Sequence, residues 1–131
     1  MENVEKLKER IERFQKNLDD YKGKLYDEYS TRADFIDVLF SALGWDMYNE
    51  AGYIEQYREV IREAKVSVDG HTKAPDYAFK IGKDIVFYVE AKKPSVDIKE
   101  DPAPAYQLRR YAHTQGLYLS ILTDFEEIAV Y

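Results

Sequence analysis

Three side chains in the second half of the chain could together bind a metal ion and activate water: Asp76, Glu90 and Lys92. The segment from 75 to 93 is typical of two short strands joined by a turn at Gly82–Asp84. Because alternate side chains of a strand share a face, Glu90 and Lys92 should point the same way. If the two strands pair as a hairpin, Asp76 approaches that face from the neighbouring strand. Two carboxylates and an ammonium group at one spot suit Mg²⁺ and an attacking water molecule.

This combination predicts hydrolysis of a phosphodiester. Mg²⁺ keeps several waters, so Asp76 and Glu90 would suffice to hold it, with the Ala91 carbonyl as a further oxygen ligand. Lys92 would orient or help deprotonate the attacking water and stabilise negative charge on phosphorus. The chain has no cysteine and only two histidines, which argues against zinc. The alternative is that Glu90 and Lys92 lie on the solvated face of an ordinary antiparallel sheet.

Strict alternation predicts the two faces of the second strand. One face would carry Ile85, Phe87 and Val89, and the other Val86, Tyr88 and Glu90. Glu90 then continues a largely apolar stripe, where a carboxylate is costly unless a metal or another cation pairs with it. This expected burial favours the metal site over a solvated face.

Several segments resemble a nuclease superfamily. Pro75–Asp76 together with Val89–Lys92 resembles the PD-(D/E)xK nuclease motif, and Gln107–Tyr111 matches the Gln-x-x-x-Tyr pattern of its RecB-like branch. Three more segments are similar to the N-terminal nuclease segment of type IIG restriction enzymes, and also to the start of type I restriction R subunits. These segments are Thr31–Asp37, Ala42–Trp45 and Leu119–Glu127. The resemblance covers residues 25 to 131, and its motifs occur in the expected order.

The resemblance implies an α/β fold of the restriction-endonuclease type, in which helices flank a mixed central β-sheet. It implies a magnesium-dependent endonuclease domain of a restriction-modification enzyme, which hydrolyses phosphodiester bonds of double-stranded DNA. It assigns Gln107 and Tyr111 to positioning of the substrate or the scissile phosphate. It also implies downstream methyltransferase and specificity domains or subunits as partners. S-adenosylmethionine would serve only that methyltransferase, which is absent from this chain.

Nucleases that this chain resembles often carry an acidic residue on the first core helix that reaches the metal. Glu28 matches this position best, and Asp34 matches it less well. Glu28 also lies four residues before Arg32, a spacing typical of an ion pair that only stabilises a helix. The ion pair is the preferred interpretation, and the accessory role at the metal is the alternative.

Length and composition indicate one globular domain: 131 residues, no cysteine and a net charge of −6. The absence of cysteine, of a long apolar run and of a signal-like start predicts a cytoplasmic location without membrane attachment. The negative charge predicts weak binding to DNA, because affinity depends on cations that neutralise phosphates. However, Pro102–Thr123 lacks acidic residues and contains Arg109, Arg110 and His113, so a local basic surface is expected there.

The first 24 residues are predicted to form an amphipathic helix from Glu2 to about Lys22. Its apolar residues recur at spacings of three and four, as in a heptad pattern. They are Val4, Leu7, Ile11, Phe14, Leu18, Tyr21 and Leu25. We expect this stripe to pack on the sheet of the nuclease domain, residues 25–131. The alternative is a docking helix for a partner chain or a further domain.

Two more helices are predicted. Ser30 is the expected N-cap of a helix from Thr31 to Leu43, which Gly44 ends. Two prolines predict a loop over residues 97–104, and a helix should follow from Pro104 to about Thr114.

Five strands are predicted, separated by turn residues. The first ends at Val68 before a hairpin turn at Asp69–Gly70, although the segment from 57 to 68 could also contain the end of a helix. The others are expected at residues 74–81, 85–92, 117–122 and 127–131. The resulting order is α-α-β-β-β-α-β-β. Because the last strand reaches the final residue, we expect the chain to be a fragment of a longer restriction enzyme.

Two other functions remain open at this stage. The first is a non-catalytic module that keeps a nuclease-like fold for assembly through its first helix, although the intact catalytic residue types argue against it. The second is a repair or junction-resolving nuclease, which would use the same chemistry on a DNA structure. The lack of an obvious basic stripe makes a stand-alone nuclease the less favoured interpretation.

Overall fold

The computed structural model describes residues 2–63, 66–68, 71–117 and 119–131. The helical elements are α1 Glu2–Lys16, α2 Leu18–Tyr21, α3 Glu28–Thr31, a π-helical segment Arg32–Ile36, α4 Asp37–Ala42 and α5 Pro102–Thr114. The strands are β1 Val60–Arg62, β2 Val66–Val68, β3 His71–Lys73, β4 Tyr77–Ile81, β5 Asp84–Ala91, β6 Ser120–Thr123 and β7 Ile128–Val130. Among the described residues, none of these helices has the length and apolar character that a membrane crossing needs.

Five strands form the central sheet in the order β1-β4-β5-β6-β7. Every neighbouring pair is antiparallel except β5 and β6, which run parallel and are connected through α5. A parallel pair requires such a crossover connection. β2 and β3 form a separate two-stranded sheet, and their predicted turn at residues 69–70 lies outside the described residues. The predicted α/β class, with a mixed sheet flanked by helices, is confirmed.

Each face of the sheet has its own apolar core. The central helical region comprises α3, the π-helical segment and α4. On one face of the sheet, Ile36 and Phe40 from this region pack against Phe79 and other buried residues of β4 and β5. On the opposite face, Leu108 and other residues of α5 pack against Tyr88 of β5. Burying an aromatic or aliphatic side chain of this kind stabilises the fold by about 1.5–3 kcal/mol. The sheet is therefore held between two helical layers, which fixes the ends of β4 and β5.

A β-bulge in β5 interrupts the predicted alternation. Phe79 pairs with Phe87, but the next residue, Lys80, pairs with Ile85, so one residue of β5 is extra. As a result, Val86 packs on the same core as Phe87, and Ile85 packs on the opposite one. The predicted faces are wrong for Ile85 and Val86 and right from Phe87 onward.

The central helical region begins at Glu28, earlier than the predicted Thr31. Its N-cap is Asp27 rather than Ser30, because Oδ1 of Asp27 accepts a hydrogen bond of 2.7 Å from the backbone N–H of Ser30. Gly44 follows the last helical turn with φ +104°, so the predicted helix end is confirmed. The earlier start matters for the site, because it places Glu28 in the first helical turn.

α5 begins at Pro102, within the segment that was predicted to be a loop. Asp101 caps it, and its side chain accepts a 3.0 Å hydrogen bond from the N–H of Ala103. Prolines are tolerated in the first turn of a helix because the N–H groups there have no intrahelical partner. Pro102 and Pro104 therefore start this helix instead of excluding it.

The strand predictions are right in outline and wrong at some ends. The ambiguous segment holds two strands, β1 in the central sheet and β2 outside it. β4 begins at Tyr77, and β5 ends at Ala91, so Lys92 lies just beyond the strand. β6 begins at Ser120, later than predicted, and β7 falls within its predicted range.

The N-terminal helix packs on the helical layer rather than on the sheet. Phe14 is only 5% exposed, and its ring lies edge-on to Phe35 and Phe125 with centroid distances of 5.3 Å. The predicted single helix is broken after Lys16, and α2 ends at Tyr21. Leu25, predicted to continue the apolar stripe, is fully exposed because the helix has already ended.

Candidate active site

The start of β4 and the end of β5 bring two carboxyl groups together. Tyr77 pairs with Val89 in the antiparallel register, so the preceding residue, Asp76, lies opposite Glu90. Both carboxylates are buried, at 8% and 6% exposure. Buried carboxylates are rare unless they are paired with a cation or coordinate a metal. This part of the sheet is therefore the candidate active site.

Hydrogen bonds fix both carboxylate oxygens of Asp76. Its Oδ2 accepts from the backbone N–H of Ala91 at 2.7 Å, and its Oδ1 accepts from Nη1 of Arg32 at 3.1 Å. The backbone carbonyl of Asp76 also accepts from the N–H of Glu63 at 2.9 Å, which ties the residue to the end of β1. Asp76 is thus held in one orientation by its neighbours on three elements.

Glu90 is the most strongly perturbed carboxyl group near the sheet end. Burial, a hydrogen bond with Asp76 and the charge of Asp76 raise its pKa to about 9, and the charge of Lys92 opposes the rise. The carboxyl group of Glu90 therefore keeps its proton well above the pH at which a glutamate ordinarily loses it. A divalent cation held by Asp76 and Glu90 would replace that proton.

Lys92 and Glu28 lie beside the two carboxyl groups, and these four side chains form one group. The Nζ of Lys92 lies 3.8 Å from Oε2 of Glu28. Burial and, next, the charge of Asp76 raise the pKa of Glu28 above its ordinary value. Glu28 and Arg32 form no direct ion pair in the described part of the chain, because Arg32 pairs instead with Asp76 and Glu63. The preferred ion-pair interpretation is therefore wrong, and Glu28 lies beside the site.

Of the two residues assigned to substrate positioning, the structure places one near the carboxylates. Tyr111 is buried, and after burial the charges of Glu90 and Asp76 are the causes that raise its pKa. Gln107, one turn earlier on α5, is exposed, and no described hydrogen bond joins it to the site. Asp34, the weaker accessory candidate, accepts a 2.6 Å hydrogen bond from the hydroxyl of Tyr26 away from this group.

The donor set fits a small hard cation. Within the described residues, no three histidine, aspartate or glutamate side chains are arranged to hold a metal by themselves. Mg²⁺ does not need such a cage, since one or two carboxylates with water and substrate oxygens satisfy it. Asp76 and Glu90 provide that number of oxygen-bearing side chains in a site that lacks sulfur and imidazole.

Arg32 is the site residue that sequence reasoning missed. It was considered only as a partner of Glu28, because the two are four residues apart on one helix. The structure instead directs its guanidinium across to Asp76, on a different element. This contact depends on long-range packing between the helical region and β4, and no local sequence pattern contains it.

The predicted basic surface on α5 is present only in part. Arg109 and His113 are exposed, and the guanidinium of Arg109 lies 5.9 Å from the ring centroid of Tyr131. The guanidinium of Arg110 lies 5.8 Å from the ring centroid of Tyr106. These cations stack on aromatic rings at the protein surface. A role for them in binding phosphate stays a prediction.

Comparison with known proteins now adds an independent line of argument. The whole chain aligns with 41% identity over 133 residues with RM.Eco57I of Escherichia coli, a type II restriction enzyme and methyltransferase. The chain is similar to part of a restriction enzyme. It spans 13% of that relative's length. No protein-family model matches the chain, and no solved structure matches it.

This similarity covers one part of a longer protein. It does not test the finer predictions that were made from the motifs. The PD-(D/E)xK core, the magnesium requirement and the roles of individual site residues stay predictions, and they rest on the geometry around Asp76 and Glu90.

Proposed function

We propose that this chain is a magnesium-dependent DNA endonuclease domain of the PD-(D/E)xK type, from a restriction-modification enzyme. One observation carries the proposal: Asp76 and Glu90 are buried opposite each other at the end of two paired strands, with Lys92 in the same group. The similarity to a restriction enzyme and methyltransferase supports the same function independently.

The charges of the group favour a divalent cation. Asp76 and Glu90 are both withdrawn from water, and Glu28 adds a third acidic group whose pKa is raised by burial and, next, by the charge of Asp76. The positive charges of Arg32 and Lys92 compensate part of this negative charge. A buried carboxylate is expensive without compensation, so Mg²⁺ held by Asp76 and Glu90 would relieve the repulsion between them. When bound, Mg²⁺ supplies Lewis-acid polarisation of the phosphate and lowers the pKa of water.

The side chains around the carboxylates would then act on the substrate. Lys92 would orient the attacking water, help remove its proton and stabilise negative charge on the phosphate oxygens. Glu28, 3.8 Å from the Lys92 ammonium, would hold it in position. Tyr111 would close the α5 side of the site and direct its hydroxyl towards the substrate. Gln107 would contact the DNA from the exposed part of the same helix.

Recognition and methylation of DNA would belong to other parts of the enzyme. The chain spans 13% of a relative that is named as both a restriction enzyme and a methyltransferase. With a net charge of −6, the domain should bind double-stranded DNA weakly on its own. We therefore propose that methyltransferase and specificity domains deliver the DNA, and that S-adenosylmethionine binds there and not to this chain.

Cleavage by a lysine variant tests the catalytic role. Lys92→Ala should abolish metal-dependent nicking of plasmid DNA, because Lys92 is the lysine that pairs with Glu28 beside the two buried carboxylates. Lys24→Ala removes an equally charged but exposed side chain and should cleave like the wild type. The far-ultraviolet circular dichroism of both variants should match the wild type. Retained nicking by a folded Lys92→Ala variant would contradict the assigned role.

Metal titration tests the site without DNA. Mg²⁺ or Mn²⁺ at about one hundred times its dissociation constant should raise the free energy of unfolding by about 2.7 kcal/mol. Asp76→Asn should remove this stabilisation, and Asp84→Asn, which changes an exposed carboxylate at the start of β5, should keep it. If millimolar metal leaves the wild-type stability unchanged, the non-catalytic assembly module becomes the better interpretation.

A further inference from the structure

A cleft next to the candidate active site has no role in the proposed cleavage. Its volume is about 440 Å³, and residues of the central helical region, of the loop after α4 and of the end of β1 line it. The lining residues are Tyr29, Arg32, Ala33, Asp37, Tyr48, Arg62 and Glu63. Ligand pockets in proteins have volumes of about 300–1,000 Å³. The cleft is therefore large enough for one small aromatic ligand.

Two exposed tyrosines in the cleft are each stacked with an arginine. The guanidinium of Arg32 lies 5.9 Å from the ring centroid of Tyr29, and that of Arg62 lies 5.6 Å from the ring centroid of Tyr48. Tyr29 is 72% exposed and Tyr48 is 52% exposed, whereas a tyrosine ring that only fills the core is buried. Exposed rings beside cations form the surface on which nucleic-acid bases stack.

The buried acid of the cleft does not repel an anion, because its charge is already compensated. Asp37 is 4% exposed, and it accepts hydrogen bonds from the hydroxyl of Tyr77 at 2.7 Å and from Nη1 of Arg62 at 3.0 Å. Arg62 also donates to the carbonyl of Met47 at 3.1 Å. These contacts hold the Arg62 guanidinium, and the Tyr48 ring stacked on it, in a fixed position.

Arg32 connects the cleft to the active site. Its Nη1 donates to Asp76, while its Nε is buried and has no hydrogen-bond partner. An unpaired buried donor is energetically costly, so the free protein does not satisfy this guanidinium fully. Arg32 is also the first residue of the π-helical segment, and such segments occur frequently at functional sites. A phosphate reaching Arg32 through the cleft would give its Nε the acceptor that it lacks.

We propose that the cleft formed by Tyr29, Arg32, Tyr48 and Arg62 binds one unstacked nucleotide of the DNA strand next to the cut. The phosphate of this nucleotide pairs with Arg32, and its base stacks against the two tyrosine rings. The identity of the ligand as DNA rests on the proposed function. The recognition chemistry itself, an aromatic base joined to a phosphate, rests only on the cleft.

Binding of short oligonucleotides to the chain tests this subsite in the presence of a chelator, where no cleavage occurs. A fluorescently labelled single strand is compared with the same strand carrying one abasic residue at each position in turn. Tyr48→Ala and Tyr29→Ala should each weaken binding of the intact strand about tenfold. Tyr48→Phe, which keeps the ring, should bind like the wild type. Tyr57→Ala is the matched control, because Tyr57 is also exposed and stacked with a cation, Lys83, outside the cleft.

The abasic series identifies the contact. In the wild type, one abasic position should weaken binding, and Tyr48→Ala should be insensitive to that position because the stacking partner is already gone. A fully paired duplex should bind less tightly than a strand with an unpaired base there.

Three results would overturn the subsite: no binding of the strand by the wild type, equal binding by the tyrosine variants, or a duplex bound as tightly as the single strand. Because cleavage is measured separately, its loss alone would remove the proposed function and leave the nucleotide subsite standing. A free nucleotide monophosphate that binds as tightly as the strand would indicate a small effector instead and would overturn the assignment to DNA.

Discussion

Replacing Glu90 with glutamine should make the metal-free protein more stable, although it removes a proposed metal ligand. The carboxyl group of Glu90 is buried and faces Asp76, which raises its pKa from 4.5 to about 9. Glutamine has nearly the same shape and carries no charge, and its amide can still donate a hydrogen bond to Asp76. Glu90→Gln therefore removes the electrostatic cost and keeps the packing.

The size of the effect follows from the pKa shift. The unfolded chain releases the proton of Glu90 above pH 4.5, whereas the folded chain keeps it up to about pH 9. Between these two pH values the unfolded state thus binds fewer protons than the folded state. The free energy of unfolding is therefore highest below pH 4.5 and falls by about 1.4 kcal/mol for each pH unit above it. At pH 7 the wild type has lost about 3 kcal/mol through this group. Glu90→Gln should be more stable than the wild type by about that amount.

Urea unfolding in the presence of a chelator measures this difference. Trp45, the single tryptophan of the chain, packs against Phe79 and Phe87 with centroid distances of 5.0 and 5.7 Å, so its fluorescence reports the core. Unfolding is followed at pH 5, 7 and 9, values chosen to span the expected titration of about 4.5 to 9. The variant's advantage should be small at the lowest pH and should grow as the pH rises.

The comparison between the two proteins isolates Glu90 from other titrating groups. Burial raises the pKa of Asp124 to about 6, so its contribution is also lost as the pH rises, but equally in both proteins. Asp84→Asn, an exposed change in the same strand, should leave the pH dependence unaltered. The stability of Glu90→Gln could fall with pH as steeply as that of the wild type, or the variant could be the less stable protein at pH 9. Either result would show that the carboxyl pair is not destabilising, and the electrostatic argument for a metal would fail.

Four further substitutions, one of them a control, test the packing and capping that support the site. Tyr77→Phe removes the hydroxyl that donates to the buried Asp37 and should cost about 1.5–3 kcal/mol of unfolding free energy, measured with urea. Phe14→Ala should cost about 3–5 kcal/mol in the same assay, because it leaves a cavity where α1 meets the helical layer. Asp27→Ala should lower stability by about 1 kcal/mol through loss of the N-cap, whereas Ser30→Ala should cost less because it keeps the backbone N–H that donates to Asp27. Equal effects of these last two changes would contradict the cap assignment.

The sequence predicted the convergence of the carboxylates because that feature is local. Asp76 and Glu90 lie on consecutive strands joined by a short turn, so hairpin pairing alone predicts that they come close to each other. The exact register depends on the bulge: pairing continued from Ile81–Asp84 and Lys80–Ile85 would place Asp76 opposite Val89, and the extra residue of β5 brings Glu90 to that position instead. Alternation failed only between the turn and the bulge, at Ile85 and Val86.

The remaining errors come from competition between similar residues and from long-range contacts. Asp27 and Ser30 are both good N-caps, and only the folded backbone shows which carboxylate or hydroxyl meets a free N–H. The pairing of Arg32 with Asp76 joins residues that are 44 positions apart. Helix periodicity relates only residues a few positions apart, so it cannot reveal this contact. The cleft between Tyr29 and Tyr48 likewise depends on how the loop after α4 returns to the helix.

The proposed site also reconciles an acidic domain with a DNA substrate. Affinity for DNA in general grows with the number of phosphates that cations neutralise, and a chain with a net charge of −6 neutralises few. Among the described residues, Arg32, Arg62 and Lys92 carry the cations that pair with acidic groups in the candidate active site and its cleft. In the proposed function, such a surface contacts one cut position instead of a long stretch of duplex. A nuclease built this way would cut where other domains hold the DNA against it, and it would leave DNA that it meets by diffusion largely uncut.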